Sequence, residues 1–199
     1  MADQGDTSDA EGDLGSYKAP TKKTLQEIQH LDEEDESLKR YKEALLGSVS
    51  APSAILFPEN PSCVVIDSFS ICVEGQPDRT ISLRGDLEKI SDNPISIPEG
   101  ANYQIKVKYY VQRDIVTGLM YLQSVHRGPV RLDRSHVMLG SYAPQSEPRL
   151  WVSETFEAPR GMMHRGVYSI KSRFRDLDKN EFICWKWAIS VTKSSSSPG

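Results

Sequence analysis

The sequence predicts a mostly β protein, an antiparallel β-sandwich preceded by a flexible, partly helical N-terminal arm. The first observation is a change of period. Apolar residues recur every third or fourth position before residue 47, whereas beyond about residue 62 they alternate with polar ones. The second observation is that turn signals rich in Gly, Pro, Asp and Asn separate the alternating segments, with no long helical pattern between them. This combination favours two antiparallel sheets around one core.

The arm is predicted to occupy residues 1–59. Residues 1–20 have almost no large apolar side chains, so burial cannot offset the entropy cost of ordering them, and we expect disorder there. Two short amphipathic helices are predicted at about 24–31 and 35–46, where apolar residues fall on one face. Three prolines within residues 48–62 then indicate an extended linker.

The sandwich is predicted to occupy residues 60–199. In the stretch NYQIKVKYYVQ, which begins at Asn102, every second residue is apolar, as in a half-buried strand. Further strands are predicted at 63–73, 79–85, 119–127, 135–142, 165–174 and 182–193. In the last of these, the alternation places Trp185 and Trp187 on one face together with Ile183, Ile189 and Val191. Two indoles side by side form an unusually large apolar surface for one strand.

Charge is distributed unevenly along the chain. The net charge is −4, but residues 1–36 alone carry a net charge of −8, which leaves +4 for the remainder. An acidic arm argues against nucleic acid as its partner and favours a basic partner surface. The sequence contains neither a signal-peptide pattern nor a run of about 18 apolar residues. We therefore expect a cytoplasmic protein without stable membrane insertion.

Patterns typical of catalysis or of metal binding are missing from the sequence. The four histidines are scattered without HExxH spacing, and the nucleotide-binding glycine motifs and GxSxG are not found. Asp133 and His136 lie three positions apart, but residues at that spacing in a strand point to different faces. The three cysteines have no CxxC spacing. We therefore expect a protein that is not an enzyme and holds no cofactor or metal.

Several strings of residues, in one order, resemble a known family. They are YKAPTKKTLQEIQHLDEEDESLKRYKEALLG (17–47), GDLE (85–88), VMLGSYAP (137–144), EAPRGMMHRGVYSIKSRF (157–174) and the final WxW. From about Tyr17 to Val191 the chain resembles the Rho GDP-dissociation inhibitors. The resemblance implies an immunoglobulin-like sandwich. It also implies a regulator that binds a prenylated Rho-family GTPase, prefers its GDP form, slows GDP release and extracts the GTPase from membranes into the cytosol.

The resemblance implies two groups of site residues. The residues expected to contact the switch regions of the GTPase are Asp35, Ser37, Leu38, Tyr41 and Asp133. The sandwich is expected to accept the geranylgeranyl group of the GTPase between its sheets, at Ile71, Tyr103, Tyr109, Ile115, Met163, Ile170, Trp185 and Trp187. A plainer interpretation exists for both groups. The acidic residues could simply stabilise a solvated helix, and the apolar ones could simply fill the core, since core and cavity residues share one composition.

Two positions depart from the family pattern. Leu177 interrupts a run of acids between Asp176 and Asp178, which predicts weaker contacts to basic segments of a GTPase. Tyr109 stands where members commonly have Phe, so the predicted lipid site must accommodate a hydroxyl group.

An alternative function belongs to a different class. A prenyl-lipid-binding carrier would solubilise prenylated clients without controlling their nucleotide, on the same sandwich. The arm discriminates between the two, because a pure carrier has no need of amphipathic helices before the sandwich. A hydrolase is a third possibility, and the absence of triad spacing argues against it.

Overall fold

Two β-sheets make up most of the part of the chain that the computed structural model describes, residues 55–194. The strands are β1 (Val64–Val73), β2 (Arg79–Ser82), β3 (Ile95–Pro98), β4 (Asn102–Val111), β5 (Val116–Arg127), β6 (Val130–Tyr142), β7 (Arg149–Val152), β8 (Phe156–Glu157), β9 (Gly166–Arg175) and β10 (Glu181–Thr192). Short 3₁₀ turns occur at Glu88–Asp92 and Met162–His164. The helices predicted in the arm lie outside the described residues.

The order of the strands brings distant segments of the chain together. One sheet has the order β2-β1-β4-β7, with β8 also paired to β4, and the other has the order β3-β10-β9-β5-β6. Paired strands run antiparallel except β3 and β10, which run parallel. The inner faces of both sheets contribute to one core cluster. The predicted mostly β sandwich is therefore confirmed.

Strand β4 shows how the alternating sequence produces one buried face. Ile105, Val107 and Tyr109 are each at most 2% exposed. The lysines between them lie on the outer face, where their ammonium groups form ion pairs with aspartates at 3.1 and 3.3 Å. Burial of the apolar face supplies the driving force for packing, because partly exposed ion pairs contribute little.

Strand β10 carries the pair of indoles. Trp185, Trp187, Ile189 and Val191 are each at most 4% exposed, as the predicted shared face requires. Ile183 is only partly buried, and the register of β10 against β9 shifts between residues 181 and 183. Two tryptophans of one strand thus point into the centre of the sandwich.

The structure adds a strand between the predicted strands at 79–85 and 102–112, where the sequence pattern predicts none. Ile95–Pro98 form strand β3, which pairs in parallel with β10. Ile95 and Ile97 are 4% and 0% exposed, so burial of these two side chains stabilises the strand. Three residues between two prolines are too few to show a period, and proline is typical of strand ends and edges. Strands β7 and β8 were not predicted either, because they are also too short to show a period.

A buried glutamine fastens the start of the described chain to the sandwich. Gln112 directly follows strand β4 and is 1% exposed. Its oxygen accepts a hydrogen bond from Phe57 N at 3.0 Å, and its amide nitrogen donates to Asn60 O at 3.0 Å and to Ser62 O at 2.9 Å. Residues 57–62 therefore follow the sandwich closely, and the boundary between arm and sandwich at residue 59 stays a prediction. No helix within the described residues is long and apolar enough to span a membrane.

Candidate functional site

An aromatic cluster fills the space between the two sheets. Phe69 of β1 lies with its ring centroid 5.6 Å from that of Trp185 and 5.4 Å from that of Trp187. Phe174 of β9 stacks on Trp185 at 6.2 Å with an interplanar angle of 11°. All four side chains are at most 1% exposed. We call Phe69, Phe174, Trp185 and Trp187 the aromatic interior; offset and tilted ring pairs of this kind add stability beyond the area they bury.

Three of the predicted lipid-site residues adjoin this interior. Ile71 of β1 and Ile170 of β9 are each 1% exposed and belong to the same core cluster as the indoles. Tyr109 of β4 is 2% exposed, and its ring centroid lies 6.2 Å from that of Phe174. Burial, reinforced by Tyr142, raises the pKa of the Tyr109 hydroxyl. The structure thus brings five predicted residues to one region, and their contact with a lipid stays a prediction.

Tyr103 and Asp133 connect the two groups of predicted residues. Tyr103 on β4 is partly buried, and its ring centroid lies 5.5 Å from that of Phe156. Asp133 is exposed on β6 of the opposite sheet. Burial and then the negative charge of Asp133 raise the pKa of Tyr103 to about 12. A predicted GTPase contact and a predicted lipid contact therefore lie on facing sheets.

Two other predicted lipid-site residues are placed differently. Met163 lies in a 3₁₀ turn with its side chain 84% exposed, beside Met162 at 78%. Its backbone oxygen accepts a hydrogen bond from Arg127 Nη1 at 2.7 Å. Ile115 is partly buried in the connection between β4 and β5. The structure does not bring Met163 into the aromatic interior, and the roles of both residues stay predictions.

A buried polar chain beside the indoles was missed by sequence reasoning. Trp187 Nε1 donates to Ser172 Oγ at 2.9 Å, Ser172 Oγ lies 2.8 Å from Tyr121 Oη, and Tyr121 Oη donates to Gln123 Oε1 at 2.7 Å. The four residues are at most 5% exposed. We call them the polar chain. The available signal was the alternation itself, which places Ser172 and Gln123 on inward positions where apolar residues are expected.

The arm residues predicted to contact a GTPase, Asp35, Ser37, Leu38 and Tyr41, lie outside the described residues. Within residues 55–194, no three His, Cys, Asp or Glu side chains are grouped so as to hold a metal ion. What the described part offers is an aromatic interior with a polar chain at one side. Such an interior can surround an apolar ligand, but it contains no arrangement of nucleophile and base.

Comparison with known proteins gives one consistent result. The sequence matches the family described as RHO protein GDP dissociation inhibitor over residues 2–194. Rho GDP-dissociation inhibitor 1 from Homo sapiens is 41% identical over 178 residues, which cover 89% of this chain and 86% of that protein. A probable rho GDP-dissociation inhibitor from Caenorhabditis elegans is 38% identical over 178 residues, covering 89% and 92%. Rho GDP-dissociation inhibitor 3 from Homo sapiens is 36% identical over 176 residues, covering 88% and 76%.

Proposed function

Because this chain belongs to the Rho GDP-dissociation inhibitor family, we propose that it binds a prenylated Rho-family GTPase in its GDP form, slows GDP release and extracts the GTPase from membranes. The activity is regulatory binding and makes or breaks no covalent bond. The cytosol is the compartment in which the protein would hold its partner. The carrier alternative is not favoured, since the relatives are named for inhibition of GDP dissociation.

The observation that carries this proposal is the aromatic interior between the sheets. Trp185 and Trp187 supply a broad apolar wall, and Ile71 and Ile170 extend it on both sheets. A geranylgeranyl group is flexible and apolar, so its contacts with the wall residues can replace the contacts that those side chains make with one another. Since the wall residues are at most 1% exposed, the group must enter by displacing side chains or by separating the sheets.

Free energies of transfer explain why an arm is needed as well. An isoprenoid of about twenty carbons, at no more than ~0.8 kcal/mol per carbon, gains on the order of 10 kcal/mol from the bilayer. A protein interior offers a similar gain, so the sandwich alone would roughly balance the membrane. A second contact with the body of the GTPase raises the local concentration of the lipid group near the sandwich. We assign that second contact to the arm.

The proposed GTPase contacts are Asp35, Ser37, Leu38 and Tyr41 in the arm, with Asp133 on the sandwich. A carboxylate such as Asp35 can accept charge-assisted hydrogen bonds from a hydroxyl or backbone N–H of a switch loop. Bonds of this kind hinder opening of the loop and so slow loss of the nucleotide. Asp133 is exposed on β6, so its carboxylate is available to a partner surface.

The deciding experiment compares one Rho-family GTPase with and without its prenyl group, using the full chain. We expect liposome extraction only of the prenylated form, whereas slowed GDP release should persist, more weakly, for the unprenylated form. Ile170→Trp should abolish extraction by adding bulk beside the indoles, while inhibition of GDP release remains. Overpacking also lowers stability by about 1–3 kcal/mol, so folding is measured in parallel.

Ser169→Trp is the matched control for this variant. It adds the same ring on the same strand, β9, but Ser169 is exposed on the outer face, so extraction should continue. Wild-type extraction by a folded Ile170→Trp protein would show that the lipid lies elsewhere. Equal binding of both GTPase forms in every assay would contradict the proposed function as a whole.

A further inference from the structure

The donors and acceptors of the polar chain (Trp187, Ser172, Tyr121 and Gln123) determine its direction. An indole N–H can only donate, so Ser172 Oγ accepts from Trp187. The Tyr121 hydroxyl donates to Gln123 Oε1, which leaves Ser172 to donate to Tyr121 Oη. The chain therefore links β10, β9 and β5 on their inner face and holds the Trp187 indole in one orientation.

Trp185 differs from Trp187 in this respect, although both lie on the same face of β10. The Trp185 side chain is 1% exposed, and no acceptor among residues 55–194 lies within hydrogen-bond reach of its Nε1. Its surroundings are aromatic, since Phe69, Tyr121 and Phe174 have ring centroids within 6.3 Å of its own. A buried N–H without an acceptor destabilises the arrangement that buries it.

This difference decides which side chain yields when the interior opens. Moving Trp187 would break a hydrogen bond inside a region where a hydrocarbon ligand offers no replacement acceptor. Moving Trp185 breaks no hydrogen bond, and it gives the indole N–H an opportunity to meet a polar group elsewhere. The hydrogen-bond contribution to the free energy of displacement is therefore lower for Trp185, although both indoles are equally buried.

We propose that Ser172 and Tyr121 are positioning residues that hold Trp187 as a fixed wall, whereas Trp185 is the indole that moves aside when the interior takes up an apolar ligand. This inference rests on the proposed function, because it assumes that a lipid enters the aromatic interior. The two indoles thus have different roles: Trp187 stays in place as the wall, and Trp185 moves as the gate that admits the ligand. The ligand does not enter the space occupied by the polar chain.

The full chain has three tryptophans, so labelling it with 5-fluorotryptophan gives three fluorine resonances. Each resonance is assigned by Trp→Phe replacement of Trp151, Trp185 or Trp187. The probe is a short peptide ending in S-geranylgeranylcysteine methyl ester. On saturation we expect the Trp185 resonance to shift by several linewidths, whereas the Trp187 resonance stays within one linewidth of its free position.

Variants of the polar chain test the positioning role. Ser172→Ala removes the acceptor of Trp187 Nε1, so the Trp187 resonance should now shift or broaden when the peptide binds. Ser169→Ala makes the same replacement on the outer face of β9 and should leave both resonances as in the wild type. Tyr121→Phe is the second variant should Ser172→Ala fail to fold. It keeps the Ser172 acceptor but removes the bond that orients it, so a smaller shift of Trp187 is expected.

The outcomes separate this inference from the proposed function. A binding isotherm that shows no uptake of the peptide overturns both. Uptake with a Trp187 shift as large as that of Trp185 in the wild type overturns only the division between wall and gate. Uptake in which Trp187 stays fixed in Ser172→Ala and in Tyr121→Phe alike shows that the polar chain does not position it. The inference is supported if peptide binding shifts only the Trp185 resonance in the wild type and shifts the Trp187 resonance as well in Ser172→Ala.

Discussion

At the residue scale, the indoles of β10 provide a matched pair for measuring one hydrogen bond. Trp187→Phe removes the donor to Ser172, whereas Trp185→Phe removes a donor that has no acceptor within the described residues. Both replacements remove a similar ring area from equally buried sites. We expect Trp187→Phe to lower the free energy of unfolding by about 1 kcal/mol more than Trp185→Phe does. Urea unfolding followed by circular dichroism measures this, and equal losses would contradict it.

Glu99, in the connection between β3 and β4, is a second residue with an unusual environment. Its carboxylate accepts hydrogen bonds from Arg165 Nη2 at 2.7 Å, from Arg165 Nε at 3.2 Å and from Gly161 N at 3.0 Å. The hydrogen bonds from Arg165 lower the pKa of Glu99 from 4.5 to about 2, despite an opposing effect of burial. Because the pKa is lower in the folded state, the carboxylate stabilises the fold at pH values above 4.5.

That stabilisation should disappear as the pH falls from about 4.5 towards about 2. Glu99→Gln removes the titrating group, so its urea midpoint should change less over this range than the wild-type midpoint does. Arg165→Gln removes the cation that lowers the pKa and should flatten the curve similarly. Midpoints measured at closely spaced pH values test the expectation. Parallel curves for the wild type and Glu99→Gln would show that this carboxylate does not contribute.

At the scale of elements, the start of β5 depends on a glycine. Gly118 has a φ of +61°, a left-handed backbone conformation that residues with a side chain rarely adopt. The register between β5 and β6 shifts beside it. A Cβ at this position would overlap the Leu177 side chain. Leu177 N also donates to Thr117 O at 3.1 Å. The residue that departs from the family's acidic pattern therefore packs on β5, which gives it a structural role.

Gly118→Ala should consequently destabilise the sandwich through two effects, backbone strain and the clash with Leu177. Strain of this kind costs about 1–2 kcal/mol, and the clash adds to it. Gly75→Ala is the matched control, since Gly75 has a φ of +75° but nothing within 4 Å of the added Cβ. Urea unfolding should show a larger loss of unfolding free energy for Gly118→Ala than for Gly75→Ala. Adding Leu177→Ala to Gly118→Ala should recover the difference between the two. Equal losses for the two glycines would exclude the clash.

At the scale of the whole molecule, one core cluster joins the two sheets of the described residues. The core cluster draws on both sheets from Val64 to Val191, and Gln112 holds residues 57–62 against it. We expect the sandwich to fold without the arm, whereas the proposed capture of a GTPase requires both.

Deleting residues 1–54 should separate the two parts. We expect the truncated chain to keep the wild-type free energy of unfolding within about 0.5 kcal/mol, because residues 64–191 supply a core cluster from both sheets. It should still bind a geranylgeranylated peptide, but it should no longer slow GDP release. Urea unfolding, peptide binding and nucleotide exchange measure the three quantities. A truncated chain that inhibits GDP release as well as the full chain does would move the GTPase contacts from the arm to the sandwich.

The long strands were predictable from the sequence, whereas the short strands β3, β7 and β8 were not. The alternation in β4 and β10 is sustained over ten or more residues, so the pattern alone identified their buried faces. Strand β3 has four residues, and only its parallel pairing with β10 makes it a strand. Local patterns carry information about nearest neighbours along the chain, whereas pairing depends on segments about ninety residues away.

The sequence by itself determined the class of fold, the inward faces of β4 and most of β10, and the family, because these depend on side-chain period and on strings of residues in order. Only the tertiary structure decided which inward residues meet. It placed Ser172 and Tyr121 beside Trp187, left the Trp185 N–H without an acceptor in the described residues, and put Met163 on the surface. The physical reason is that hydrogen bonds and burial depend on distances between strands, and the period of a single strand does not encode those distances.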